Sequence, residues 1–152
     1  MIKRLNKGLP VPVYAHDGDA GCDLLSAVDV TIEPGERVLV PTGIAVSIPR
    51  GYGGFVQPRS GLAIKHGISL VNTPGLIDSA YRGEIKIILI NTDRTEPFHI
   101  KRGDKIAQFV IQQVEEAEFE EVDELDATIR GDGGFGSTGV RIGKQGSRET
   151  GK

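Results

Sequence analysis

VDVTIEPGERVLVPTGIAVSIPRGYGGFVQP, Val28 to Pro58, decides the fold. It reads as a series of short β-rich runs, each followed by glycine or proline: VDVTI before Pro34-Gly35, RVLV before Pro41, GIAVSI before Pro49 and GGFVQ before Pro58. Within IAVSI, the residues Ile44, Val46 and Ile48 alternate with small ones, the period of two that a half-buried strand requires. Helical periodicity is nearly absent from Ala27 to Asn91. Strands recurring at this spacing imply an all-β sandwich or barrel. The run IKIILIN that ends at Asn91 is almost wholly apolar, the pattern of a buried strand. A compact helical turn fits at SGLAIKHG, where Gly61 and Gly67 leave it only a few residues.

Composition agrees with many turns and an aliphatic core: 21 glycines, 8 prolines, 38% apolar residues and 5% aromatics in 152 residues. That length suits one domain. The lone Cys22 closes no internal disulfide, and no CxxC or HxxxH spacing offers a structural zinc site, so a reducing cytoplasm is expected. No stretch approaches the roughly 18 apolar residues of a membrane span, and MIKRLNKGLP lacks the apolar middle of a secretion signal. A formal charge of −3 argues against broad nucleic-acid binding while leaving room for a local cationic pocket that takes one small anion. Near the end, VEEAEFEEVDELD (114–126) reads as a charge-protected edge strand with Val114, Ala117, Phe119 and Val122 as its apolar anchors. The segment after Gly139 is polar and patternless, the composition of a disordered tail over 140–152.

The chemistry gathers in five clusters: AGCDL (20–24), PRSGLA (58–63), GLIDSAYRGE (75–84), RGDKIAQ (102–108) and RGDGGFGSTG (130–139). Singly each has a bland reading, since Asp23 can cap a turn, Ser60 can start a helix and the glycine-rich run can be a linker. Gly131, Gly133 and Gly136 match a dinucleotide fingerprint only superficially, because no helical face follows them. The recurring tripeptides RGE (82–84), RGD (102–104) and RGD (130–132) read as tight turns. His16, His66 and His99 fit no ligand or triad spacing, and Cys22 reads as a small buried filler.

Taken together, the clusters have the parts of a nucleotide polyphosphate site. Arg59 can grip phosphate oxygens bidentately, with Ser60 and the Gly61 N–H donating alongside. Arg130, the hydroxyls of Ser137 and Thr138 and the nearby glycine amides make a second phosphate grip, while Phe135 offers a flat face to a base. If GLIDSAYRGE folds as a hairpin leading into IKIILIN, its backbone groups can read the edge of a uracil, and Asn72 adds an amide that donates and accepts. Tyr81 can stack on a sugar and crowd a 2′-hydroxyl. The carboxylate of Asp78 can then orient a water for attack. Lys86, the one cation inside that apolar strand, reads as a snorkelling surface lysine or as a ligand of the site.

In this order and spacing, the five clusters closely resemble the motifs of the trimeric dUTPases, over roughly Leu9 to Gly139. The resemblance implies a jelly-roll-like β-barrel of residues 1–129, assembled as a homotrimer, with an arm of residues 130–139 closing over the active site. It implies hydrolysis of dUTP to dUMP and pyrophosphate by in-line attack of a water at the α-phosphorus, which limits uracil in DNA and supplies dUMP for thymidylate synthesis. By that resemblance Asn72, Leu76, Ile77, Asp78, Tyr81 and Lys86 form the uracil and deoxyribose pocket of one subunit, and Asp78 activates the water. Arg59, Ser60, Gly61 and Gln108 would come from a second chain, and Arg130, Phe135, Ser137 and Thr138 from a third. Mg²⁺ would arrive chelated by the triphosphate, with Asp23 holding a metal-bound water. Two other readings use similar parts: a dCTP deaminase-like enzyme, possibly bifunctional, and a nucleotide-sensing regulatory protein. No nucleic acid or membrane partner is implied.

Overall fold

The computed structural model describes residues 1–134. Along the chain these residues form β1 (Ile2–Arg4), β2 (Cys22–Leu25), β3 (Val30–Ile32), β4 (Arg37–Val46), β5 (Tyr52–Gln57), α1 (Ser60–His66), β6 (Ile68–Leu70), β7 (Gly75–Ile77), β8 (Glu84–Asn91), β9 (Phe98–Ile100) and β10 (Lys105–Gln113). The strands make two four-stranded antiparallel sheets, ordered β1-β4-β8-β6 and β2-β10-β5-β7, with β3 and β9 paired separately. The expected all-β class holds. Among the described residues no helix is long and apolar enough to cross a membrane.

One apolar cluster joins all three sheets, drawing on Leu24, Ile32, Val40, Ile44, Val56, Ile68, Ile100 and Phe109 among others. The IKIILIN strand supplies its centre. Ile85, Ile87 and Leu89 alternate inward and are essentially inaccessible, while Lys86 points out. Burying each such side chain contributes roughly 1.5–3 kcal/mol. The same inward phase ends on Asn91, whose amide nitrogen donates to Ile32 O at 3.0 Å and Glu96 O at 2.9 Å while its oxygen accepts from Asp93 N at 2.9 Å. A buried amide with these partners is satisfied.

Three local expectations change. RVLV and GIAVSI are not separate strands, because β4 runs through Pro41 for ten residues. Pro41 is tolerated there because β1 pairs only with Ile44–Val46, and the register against β8 shifts between Pro41 and Ala45. The segment GLIDSAYRGE is not a paired hairpin. Its first strand, β7, bonds to β5 in one sheet and β8 bonds to β4 and β6 in the other, so the turn carries the chain between sheets. Finally, 114–126 carries no strand, and among the described residues the last strand ends at Gln113. The helical turn at SGLAIKHG is present, and Gly67 ends it in the left-handed region at φ 63°.

Residues Met1–Ala117 form one compact unit and Glu118–Lys152 a second. In the described part of the second unit, Thr128 to Gly133 make successive tight turns. The Gly131 N–H donates to the Thr128 carbonyl and hydroxyl, and Arg130 Nε donates to Gly133 O at 2.8 Å. Phe135, Ser137 and Thr138 lie outside the described residues, as does the 140–152 tail.

Candidate active site

Two open pockets in the first unit collect most of the sequence candidates. The first, about 410 Å³, is lined by Leu39, Leu76, Ile77, Asp78, Tyr81, Glu84 and Lys86. Asp78 starts the turn that follows β7, and its carbonyl accepts the Tyr81 N–H at 3.1 Å. Tyr81 then folds back so that its hydroxyl donates to Glu84 O at 2.9 Å. Gly83 makes this possible, because a Cβ at that position would collide with the Tyr81 phenol. Here the glycine of RGE serves close approach, whereas Gly103 and Gly131 in the two RGD turns adopt positive φ, 95° and 53°.

Glu84 and its neighbour fasten this turn to β4. Glu84 Oε1 accepts the Gly43 N–H at 2.8 Å, and the buried Thr42 hydroxyl donates to Ile85 O at 2.6 Å. Lys86 Nζ stands 4.0 Å from Glu84 Oε2 with about half of its side chain in solvent, leaving it available to an anion. Asn72 does not line this pocket; it sits in the turn before β7, with its amide against Gly75.

The second pocket, about 310 Å³, is lined by Arg59, Ser60, Gly61, Leu62, Lys65, His66 and Gln108. An adjoining one adds Asp19, Asp23 and Gln57, with Arg59 and Gln108 common to both. Asp23 on β2 stands opposite Gln108 on β10 in register. Its carboxylate lies between two cations: Oδ1 is 3.0 Å from Arg59 Nε and Oδ2 is 2.8 Å from Lys105 Nζ. Arg59 also donates through Nη1 to Lys105 O at 3.2 Å. The side chain of Asp23 is only 17% exposed, so these pairs are worth more than surface ones.

The chain thus presents one pocket of mixed apolar and carboxylate character and, separately, one of cations and amides suited to oxyanions. The family model for dUTPase matches residues 7–139. The chain belongs to the dUTPase family. It is 59% identical over 138 residues to the deoxyuridine 5′-triphosphate nucleotidohydrolase of Thermobifida fusca (strain YX), covering 91% of this chain and 77% of the relative. The enzyme of the same name from Corynebacterium glutamicum is also 59% identical, with 91% of this chain and 93% of the relative covered. Among solved structures, the dUTPase of Staphylococcus bacteriophage 80alpha with dUPNHPP superposes with a TM-score of 0.84 at 32% identity, covering 92% of this chain and 98% of that one. A mutant dUTPase of phage phi11 of S. aureus, solved to detail the coordination of a structural Mg(II) ion, superposes at 0.77 with 29% identity, covering 84% and 98%.

Within that family frame, the described residues contain no group of three or more His, Cys, Asp or Glu able to hold a metal by themselves. Asp23 nevertheless fits an outer contact to a metal brought in by phosphates. Its Oδ1 is in ionic range of Arg59 yet accepts no directed hydrogen bond, so one acceptor direction remains unused. Two further residues join the site that sequence reading passed over. Glu84 lies in the quoted cluster without a role there, and Lys105 lies in RGDKIAQ, where only Gln108 was singled out. The signal for Lys105 is the adjacent apolar pair Ile106-Ala107, which breaks the period of two.

Two of the three histidines make side-chain contacts, and one of these, His66, also borders the second pocket. His99 Nδ1 lies 2.8 Å from the Thr31 hydroxyl, and the His66 ring packs at 5.1 Å on Phe98. Cys22 is half-buried rather than fully buried and borders the core; its thiol donates to Phe109 O at 3.7 Å. Burial pushes that thiol up from its ordinary pKa.

Proposed function

We propose that this protein is a Mg²⁺-dependent homotrimeric dUTP diphosphatase of the cytoplasm. It hydrolyses dUTP to dUMP and pyrophosphate. The observation that carries the site reading is the division of labour between the pockets: Leu76, Ile77, Asp78, Tyr81 and Lys86 line one, and Arg59, Ser60, Gly61 and Gln108 line the other, in a chain 59% identical to named nucleotidohydrolases. One nucleotide needs both sets. In the proposed trimer, copies of the chain meeting at subunit junctions would bring the first pocket of one against the second pocket of another.

In this reading the uracil lies in the first pocket, with Asn72 contributing from the turn before β7, and the Tyr81 ring, pinned by its bond to Glu84 O, stacks on the deoxyribose and crowds a 2′-hydroxyl. A turn too tight for a C5 methyl would reject dTTP, and mispaired donors would reject dCTP. Asp78 orients a water toward the α-phosphorus and accepts its proton as the bond to phosphorus forms and the pyrophosphate oxygen leaves. Arg59, Gln108, the Ser60 hydroxyl and the Gly61 N–H hold the phosphates in line and offset their growing charge. Magnesium, when bound to the triphosphate, neutralises charge on its oxygens, and Asp23 would hold it through water. Arg130 with Phe135, Ser137 and Thr138 would close the site from a third chain, as the arm of residues 130–139.

The test is turnover across the deoxynucleoside triphosphates with and without magnesium. Production of dUMP and pyrophosphate from dUTP alone, with magnesium required, is expected. Ammonia released from dCTP would transfer the assignment to a deaminase, and tight dUTP binding with no turnover would transfer it to a sensor.

A further inference from the structure

A strand bulge puts an unassigned cation at the border of the Arg59 and Asp23 pocket, against both of those residues. Strand β10 begins Lys105-Ile106-Ala107-Gln108, and strict alternation would send Lys105 and Gln108, three residues apart, to opposite faces. The register against β2 shifts between Lys105, opposite Leu25, and Ala107, opposite Leu24. Ile106 and Ala107 are consequently both buried, at 1% and 0% exposure, while Lys105 and Gln108 both emerge. A bulge that re-aims one side chain is a recurrent device beside active sites. Here it delivers the Lys105 ammonium to 2.8 Å from Asp23 Oδ2, while its own carbonyl accepts from Arg59 Nη1 at 3.2 Å. Lys105 thereby touches both Asp23 and Arg59, and about half of its side chain remains in solvent.

We propose that Lys105 is a further cationic residue of the polyphosphate subsite: it neutralises Asp23 and aligns Arg59 while the subsite is empty, and its ammonium turns to a phosphate oxygen when the nucleotide enters. Charge balance supplies the reason. Asp23 faces two cations, so this triad holds one surplus positive charge, and the two outer charged residues of the adjoining pockets, Asp19 and Lys65, offset each other. A long flexible lysine exchanges partners more readily than the guanidinium, which is tied at once to a carboxylate and a carbonyl.

This inference rests on the dUTPase reading, and binding of a non-cleavable ligand series tests it. dUMP, dUDP and the imido analogue dUpNHpp are titrated calorimetrically into the full-length protein in magnesium buffer, comparing wild type with Lys105→Met, Lys105→Gln and Lys105→Arg. Loss of one charge-assisted contact at a half-exposed position predicts about tenfold weaker dUpNHpp binding in the Met and Gln variants. The loss should shrink from dUpNHpp to dUDP to dUMP, and Lys105→Arg should recover most of it. Equal weakening of all three ligands would reduce Lys105 to a structural support, and unchanged dUpNHpp binding in folded Met and Gln variants would remove it from the subsite. Both overturn the inference while leaving the enzyme assignment standing. Failure of the wild type itself to bind dUpNHpp would instead strike the assignment on which the inference rests.

Discussion

Six of the seven residues lining the Asp78 pocket come from the single stretch Leu76–Lys86, with Leu39 as the one outsider. The Arg59 and Asp23 pocket draws instead on β2, on the end of β5, on α1 and on β10. The first is shaped by a short-range device: a turn between sheets in which Tyr81 lies over Gly83 and bonds to Glu84 O. The second is shaped by long-range register and ion pairs, with Asp23 opposite Gln108 and clasped by Arg59 and Lys105. A site half made by local sequence is held by contacts within its own turn, whereas a half made by register depends on the whole sheet being correct.

The contrast is tested most severely at Asp78. Asp78→Asn keeps the shape of the turn and removes the proton acceptor, so turnover of dUTP should fall about a thousandfold while dUpNHpp binding stays near that of wild type. Turnover within a few-fold of wild type would take the water-activating role away from this carboxylate.

Gly83→Ala addresses the local device directly. The new methyl must push the phenol aside and break its bond to Glu84 O, so dUTP turnover should drop roughly ten- to a hundredfold with little change in melting temperature. Retained activity together with an unmoved tyrosine in a crystal would show that the turn adapts, and the close approach of Tyr81 to Gly83 would lose its importance to this half.

The fastening of that turn to β4 is a stability question. Thr42→Val leaves the Ile85 carbonyl buried without its hydroxyl partner and should cost about 1–3 kcal/mol by urea denaturation, whereas Thr42→Ser should recover much of it. If Val is neutral, the bond between the bulged strand and β8 carries no weight in holding the turn.

The mildest effect belongs to the other half. On β2, Cys22 borders an apolar cleft and Asp23 a polar one, so the two adjacent side chains lie on opposite faces. Burial raises the Cys22 pKa, so little thiolate exists near neutral pH, and alkylation by iodoacetamide should be slower than that of a free cysteine peptide and accelerate only at higher pH. Alkylation as fast as the peptide's would mean that β2 opens readily and the phosphate half is looser than its ion pairs suggest.

Legibility follows the same division. The β class, the buried strand at IKIILIN and the short helix at SGLAIKHG were readable because each is a local pattern of apolar spacing and glycine placement. The polar residues at 76–86 were readable because they are contiguous. What misled was also local: Pro41 looked like a strand end but sits at a bulge, and the acids of 114–126 looked like an edge strand but pair with no sheet. Lys105 and Glu84 reach their places through a register shift and a bond across strands, which no window of neighbouring residues contains.

By itself, the order of residues determined that this chain folds from short strands, buries an aliphatic core and carries the five clusters of the dUTPase family. Those properties depend on side-chain type and spacing over a few positions. Only the tertiary structure decided that GLIDSAYRGE crosses between sheets, that Tyr81 is held over Gly83, and that Asp23 meets both Arg59 and Lys105. The Tyr81 contact is local but depends on side-chain packing that spacing does not reveal, while the meeting at Asp23 follows from contacts across some 35 to 85 positions of chain, where a single inserted residue at a bulge reverses which side chains face the pocket.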